Sequence, residues 1–194
     1  DAHGLLLKVR VRLLWLHDHN GGPAWASHLS RWDRVLGVSA YHRDFLADAY
    51  TVPLDWVGYV PNGIDLTRFD PTIRKIPGRC VYASSPDRGL VTLLKMWPDI
   101  IGSETAPELH VAYGFHNIDK WIESGRNDLA EFKAEVMTLM ERTPRVVWRD
   151  RLPQDELARL YAESYAWLYP SDFLEVSCIS AMEAMAGGAI PVTS

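Results

Sequence analysis

The sequence is short of most features that mark specialised classes of protein. Two cysteines in 194 residues, Cys80 and Cys178, are too few for a disulfide framework. Both sit among apolar neighbours, as buried reduced thiols do, so a cytoplasmic setting is the expectation. No apolar run approaches the roughly 18 residues that a membrane-spanning helix needs. The formal net charge of −5 leaves no basic excess to meet nucleic acid. No Gly-x-Gly-x-x-Gly follows a strand, which makes a dehydrogenase a remote reading. There is no internal repeat, no low-complexity tract and no visible signal peptide. The chain opens on Asp1 rather than Met, so a processed start or part of a longer reading frame is expected. What remains, 47% hydrophobic and 23% charged residues, is an ordinary globular mixture sufficient for one or two domains.

Strand and helix patterns alternate along the chain. Leu13 to Leu16 reads as a buried strand that ends at the polar exit His17-Asp18-His19-Asn20-Gly21-Gly22. Two histidines flanking Asp18 match a metal site only weakly without a third ligand, and loop polarity explains them as well. Arg34 to Val38 reads as a strand, Ser39 as the N-cap of a helix over Tyr41 to Tyr50, and Asp55 to Val60 as a further strand running into the Pro61-Asn62-Gly63 turn. Leu66 to Gly78, with Pro71, Pro77 and Gly78, reads as a linker.

A new strand follows from Arg79 to Ala83, then Ser84-Ser85-Pro86-Asp87-Arg88-Gly89 opens a helix over Leu90 to Trp97. Small hydroxyl residues at a strand end, with the forked donors of Arg88, suit a phosphate; a solvated arginine at a helix start is the plainer alternative. Glu108 to Tyr113 reads as a strand, and residues 116–126 carry no motif. Leu129, Phe132, Val136, Leu139 and Met140 keep helical spacing, which predicts an amphipathic helix over Asp128 to Arg142. Pro144 stops it, Arg145 to Trp148 is a strand, and another helix starts after Leu152-Pro153 with acidic residues in its first turn. The expected architecture is α/β with parallel sheets and a ligand at the carboxyl ends of the strands.

The last 26 residues carry the densest pattern. Ala166 to Tyr169 reads as a strand stopped by Pro170, Val176 to Ala186 as a helix closed by Gly187-Gly188, and Ala189 to Thr193 as the next strand. On one helix, Glu175 and Glu183 would lie about 12 Å apart and about 80° around the axis. Free N–H groups near Leu174 to Ser177 would then offer a phosphate site with a carboxylate at its mouth. A glycosidase pair is disfavoured, because its carboxyls must lie within about 5 to 9.5 Å. Two solvated glutamates on an amphipathic helix are the alternative.

Glu175, seven residues, then Glu183-Ala184-Met185-Ala186-Gly187-Gly188-Ala189-Ile190-Pro191-Val192 resembles the signature of retaining glycosyltransferases of the GT-B fold, family 4 (glycosyl transferases group 1). Pro61-Asn62-Gly63-Ile64-Asp65 followed by Phe69 resembles the family's junction between two Rossmann-like domains. The resemblance implies a partial N-terminal, acceptor-side domain over residues 1–65, a linker over 66–78 and most of a C-terminal donor-binding domain over 79–194, with both ends of a complete enzyme missing. It implies Glu175 beside the donor sugar, Glu183 on the ribose hydroxyls and backbone N–H groups around Phe173, Leu174 and Val176 on the diphosphate. Arg88-Gly89 stands where the family has Lys-Gly, and Ala83 or Ser84 where it has an arginine. Leu152 falls at a base contact, beside an Asp150 that replaces a common Gly, and His17 matches a histidine near the acceptor cleft.

The expected activity is hexosyl transfer, with retention of configuration, from a UDP, GDP or ADP sugar to an unknown glycan, lipid or small-molecule acceptor, with no metal required. In that chemistry Arg88 and the N–H groups near Glu175 stabilise the leaving diphosphate. The expected catalytic residues are Glu175, Arg88 and His17; the expected donor-binding residues are Glu183, Phe173, Leu174, Val176, Ser84 and Leu152. A non-catalytic nucleotide-sugar-binding fragment or assembly module is the alternative. Open strand edges at Leu13 to Leu16 or Val35 to Val38 lead to the expectation of a homo-oligomer, with peripheral membrane association also allowed for.

Overall fold

The computed structural model describes residues 10–19, 27–102 and 107–194. The polar exit expected over residues 20–22 lies outside them. The chain forms two compact units: one takes residues up to Gly63 together with Leu174–Cys178, the other Ile64–Phe173 and Ile179–Ser194.

In the first unit, strands β1 (Leu13–Trp15), β2 (Arg34–Gly37) and β3 (Val57–Tyr59) pair in parallel in that order. Helix α1 (Ala40–Tyr50) starts at Ser39, whose hydroxyl accepts the His42 N–H as an N-cap should. Val35 and Val57 are register partners, and α1 lays Leu46 and Tyr50, one turn apart, over them with Leu29 to close the core. Because β2 is central, Val35 to Val38 is not an open edge, contrary to expectation: both sides are paired, and Val35 and Val38 are buried. Among the described residues β1 is the outer strand, with Leu13 52% and Trp15 45% exposed.

The second unit is a five-stranded parallel sheet of β4 (Arg79–Tyr82), β5 (Glu108–Val111), β6 (Val146–Trp148), β7 (Ala166–Tyr169) and β8 (Ile190–Thr193), in the spatial order β6-β5-β4-β7-β8. Its crossover helices are α2 (Leu90–Ile101), α3 (His116–Glu123), α4 (Asp128–Arg142), α5 (Gln154–Glu163) and α6 (Ile179–Ala186). The core joins Val81, Leu109, Val111 and Trp167 from the strands to Leu90, Leu93, Leu94 and Trp97 from α2. These α2 positions recur at three- and four-residue spacing, so they form one stripe. The stripe expected on α4 also faces inward: Val136 and Met140 are buried, while Leu129, Phe132 and Leu139 are partly so.

Several boundaries differ from expectation. Helix α2 continues past Pro98 to Ile101, since one proline removes a single hydrogen bond and the flanking turns hold. Residues 116–123, which carry no motif, form α3, a short helix with only Ile118 buried. The last helix begins at Ile179 rather than Val176, because β-branched Val176 and the poor helix formers Ser177 and Cys178 do not extend it backwards. Cys80 and Cys178 are partly exposed rather than fully buried.

The stretch before β4 is anchored by Lys75. Its ammonium donates to the carbonyls of Tyr161 at 3.3 Å, Ser164 at 2.8 Å and Gly187 at 2.7 Å, which spends its three protons on the carboxyl ends of α5 and α6. Burial pushes the Lys75 pKa down.

Candidate functional site

Strand order reverses between β4 and β7, so their loops leave the sheet at the same carboxyl edge and open a crevice where α/β sheets bind ligands. On the β4 side, Arg88 N–H closes a turn onto the Ser85 carbonyl at 2.9 Å. Tyr82, fully buried below, shares its hydroxyl proton between the carbonyls of Ser85 at 2.7 Å and Arg88 at 3.0 Å. Burial, followed by the nearby Tyr169 and Asp87, raises its pKa, so it stays a donor. Gly89 then starts α2 with φ +91°, and a Cβ there would overlap the Pro170 carbonyl oxygen after β7. Only glycine allows that approach.

Across the crevice the Arg88 guanidinium lies over the Phe173 ring, 3.1 Å from its centroid. Its Nε is 3.9 Å from the half-exposed carboxylate of Asp87, a weak pair between sequence neighbours. Arg88, Ser84 and Phe173 are thus carried on loops at one edge of the sheet. Helix α6 crosses from β7 to β8 in parallel connection, so its N-terminus points to the same edge.

Glu183 lies on the second turn of α6, partly buried. Burial raises its pKa and the charge of Arg68 pulls it back. Arg68 is itself held by Asp65 at 3.4 Å and Asp155 at 3.9 Å. Glu175 does not share this helix. It sits before α6 in the irregular Leu174–Cys178 segment, which belongs to the first unit, where Asn62 Nδ2 donates to the Ser177 carbonyl at 3.4 Å. The helical separation expected for the two glutamates therefore does not apply, and the N–H groups of residues 174–177, Leu174 and Val176 included, are not a helix terminus.

Leu152 lines a cavity of about 220 Å³ beyond the ends of β5 and β6, with Tyr113, His116, Asn117, Gln154 and Leu157. Asp150 beside it has φ +53°, a conformation that glycine adopts most easily, and its carboxylate fills the space that a Cβ on Gly114 would take. In the first unit, exposed His17 follows the end of β1 with its ring 4.4 Å from that of Trp15. His42, which sequence patterning does not single out, is fully buried: its Nδ1 accepts the Val38 N–H at 3.2 Å and its Nε2 donates to the Asp18 carbonyl at 3.1 Å. It fastens the His17-Asp18-His19 loop. Tyr82 also escapes sequence patterning, since a tyrosine at the end of a hydrophobic strand looks like any other core residue.

Among the described residues no three His, Cys, Asp or Glu side chains converge as metal ligands, and no helix is long and apolar enough to cross a membrane.

No family model matches this sequence, and no curated protein matches it either. Solved structures do match. A glycosyltransferase from Rickettsia africae ESF-5 superposes with a TM-score of 0.70 at 12% identity over 93% of this chain and 50% of its own. Anabaena Alr3699/HepE in complex with UDP-glucose gives 0.67 at 15% identity over 93% and 52%. A UDP-forming α,α-trehalose-phosphate synthase from Burkholderia xenovorans gives 0.63 at 14% identity over 93% and 53%. The chain thus spans about half the length of the structures it resembles. What it shares with them over that length is the fold, and the expected α/β architecture with parallel sheets of the GT-B type holds.

Proposed function

We propose that this chain belongs to a glycosyltransferase and binds a nucleoside diphosphate sugar at the carboxyl edge of the five-stranded sheet. The observation that carries the proposal is the Gly89–Pro170 approach at the point where strand order reverses, with Arg88 beside it. A diphosphate laid there meets the donors of Arg88 and the N-terminus of α6, both suited to an anion. Glu183 takes the ribose hydroxyls and the Leu152 cavity takes the base. Ser84 and Phe173 line the diphosphate's approach. Residues 1–65 supply the acceptor side, 66–78 the linker and 79–194 the donor side, as in the family the sequence resembles.

In this proposal the chemistry is electrostatic. Arg88 and the α6 terminus stabilise charge as it develops on the leaving diphosphate, Glu175 orients the sugar and His17 stands on the acceptor side. Configuration is retained, and the positive charge comes from Arg88 without a metal. UDP is the first nucleotide to test, since similar structures hold UDP or UDP-glucose or are described as UDP-forming.

Thermal unfolding across UDP, GDP, ADP and their sugars tests the site, because a ligand of the native state stabilises it by RT ln(1 + [L]/Kd). One nucleotide family is expected to raise the midpoint, with chelator present or absent. No shift with any of them would sink the proposal. A donor-hydrolysis assay alongside separates a transferase from a module that only binds.

A further inference from the structure

We infer that Tyr82 and Phe173 are positioning residues that hold Arg88 from its two ends, so that its guanidinium meets the donor diphosphate already oriented. The inference rests on the proposal above and adds the two residues that would make its anion site rigid. An arginine side chain is long and rotamer-rich, and an anion that must first order it loses affinity. Here both ends are fixed before any ligand arrives. At the backbone, the buried Tyr82 hydroxyl bridges the Ser85 and Arg88 carbonyls, pinning the turn that launches the side chain. At the tip, the guanidinium lies over the Phe173 ring at 3.1 Å.

A ring beneath the guanidinium face uses the cation's charge, while the N–H donors point outward in the guanidinium plane. Stacking on Phe173 and in-plane donation to phosphate oxygens are therefore compatible. The Asp87 carboxylate, 3.9 Å from Nε, is a weak competitor for those donors. Phe173 itself sits on a braced loop: its N–H donates to the Ser171 hydroxyl at 3.1 Å, and Pro170 is locked against Gly89. The sheet edge thus presents one aromatic below the Arg88 backbone and another against its side chain.

The test is a pair of double-mutant cycles on the full chain, reading UDP affinity by calorimetry for wild type, Tyr82→Phe, Phe173→Leu, Phe173→Tyr, Arg88→Met, and Arg88→Met combined with each of the first two. Tyr82→Phe removes one oxygen and Phe173→Leu removes the π face. Each is expected to weaken UDP binding by about three- to tenfold, the scale of a lost cation–π contact or hydrogen bond. Phe173→Tyr is expected to bind as wild type does. Either change made on top of Arg88→Met is expected to cost nothing further, because its effect runs through the arginine. Losses that multiply with Arg88→Met, or single variants that bind UDP as wild type does, would overturn the inference and leave the nucleotide site standing. A wild-type chain that binds neither UDP, GDP nor ADP takes both down. Urea midpoints confirm that each variant is folded, and Phe173→Leu, on a surface loop, carries the test should Tyr82→Phe fail to fold.

Discussion

Gly89 and Pro170 meet backbone to backbone, with no room for a Cβ between the start of α2 and the loop after β7. The contact closes the crevice floor, and the φ of +91° adds a second demand for glycine at the same position. Gly89→Ala is expected to cost about 1 to 3 kcal/mol for the backbone conformation alone. Displacement of the Pro170 loop adds to that. A urea titration reads the stability, and nucleotide affinity should fall in the same variant, because Arg88 and Phe173 ride on the two displaced loops. An unchanged midpoint would mean the two loops are not in contact.

Regular periodicity was legible in the sequence, and local exceptions were not. Helix α4 falls over Asp128–Arg142 and β7 over Ala166–Tyr169, as the spacing of their apolar residues predicts, since each buries one stripe or one whole strand. The α6 start was not legible because Val176 to Ala186 reads as one run of helix formers after the Pro170 turn, whereas residues 174–178 belong to the first unit and stay irregular. The sequence could not say that β2 is the central strand, because pairing order is set by long-range packing rather than by residues 34–38 themselves. The arginine and the phenylalanine of the candidate site stood out as residues, but their stacking spans 85 positions and leaves no local trace. Tyr82 and His42 act through buried polar atoms, which hydrophobic patterning averages away.

Two buried histidines make stability pH-dependent. His42 and His110 are both fully buried, and each offers its Nδ1 as an acceptor, to the Val38 N–H and to Arg149 Nε respectively. Burial, the largest cause in both cases, lowers their pKa below the ordinary 6.5, although the Asp18 carbonyl and the Glu108 carboxylate act the other way. The folded chain then binds fewer protons than the unfolded chain as the pH falls. Their contribution is complete above about pH 6.5 and is lost as pH drops from there towards the folded values. Urea midpoints measured from pH 8 to 5.5 should decline over the lower part of this range, and the combined His42→Gln and His110→Gln changes should flatten the decline. A curve equally steep without either histidine would assign it to other groups.

Glu183 should show opposite effects on stability and binding. Burial raises its carboxyl pKa above the ordinary 4.5, with Arg68 only partly offsetting it. A folded state that holds the proton more tightly than the unfolded state loses stability as pH rises from 4.5 through the raised value, so at neutral pH the ionised carboxylate is a net cost to folding. Removing the charge in Glu183→Gln should therefore raise the thermal midpoint at pH 7.5. The same variant should weaken nucleoside diphosphate binding by about 1.5 to 3 kcal/mol, the scale of a hydrogen bond to a charged acceptor, because an amide replaces the carboxylate proposed to take the ribose hydroxyls. At pH 4, where the wild-type carboxyl is protonated as well, the stability difference should shrink towards zero. A residue whose role was only structural would lose stability when changed and leave affinity alone, so the two readings together, midpoint against pH and Kd at pH 7.5, decide the assignment. A variant that is less stable than wild type and binds equally well would remove Glu183 from the site.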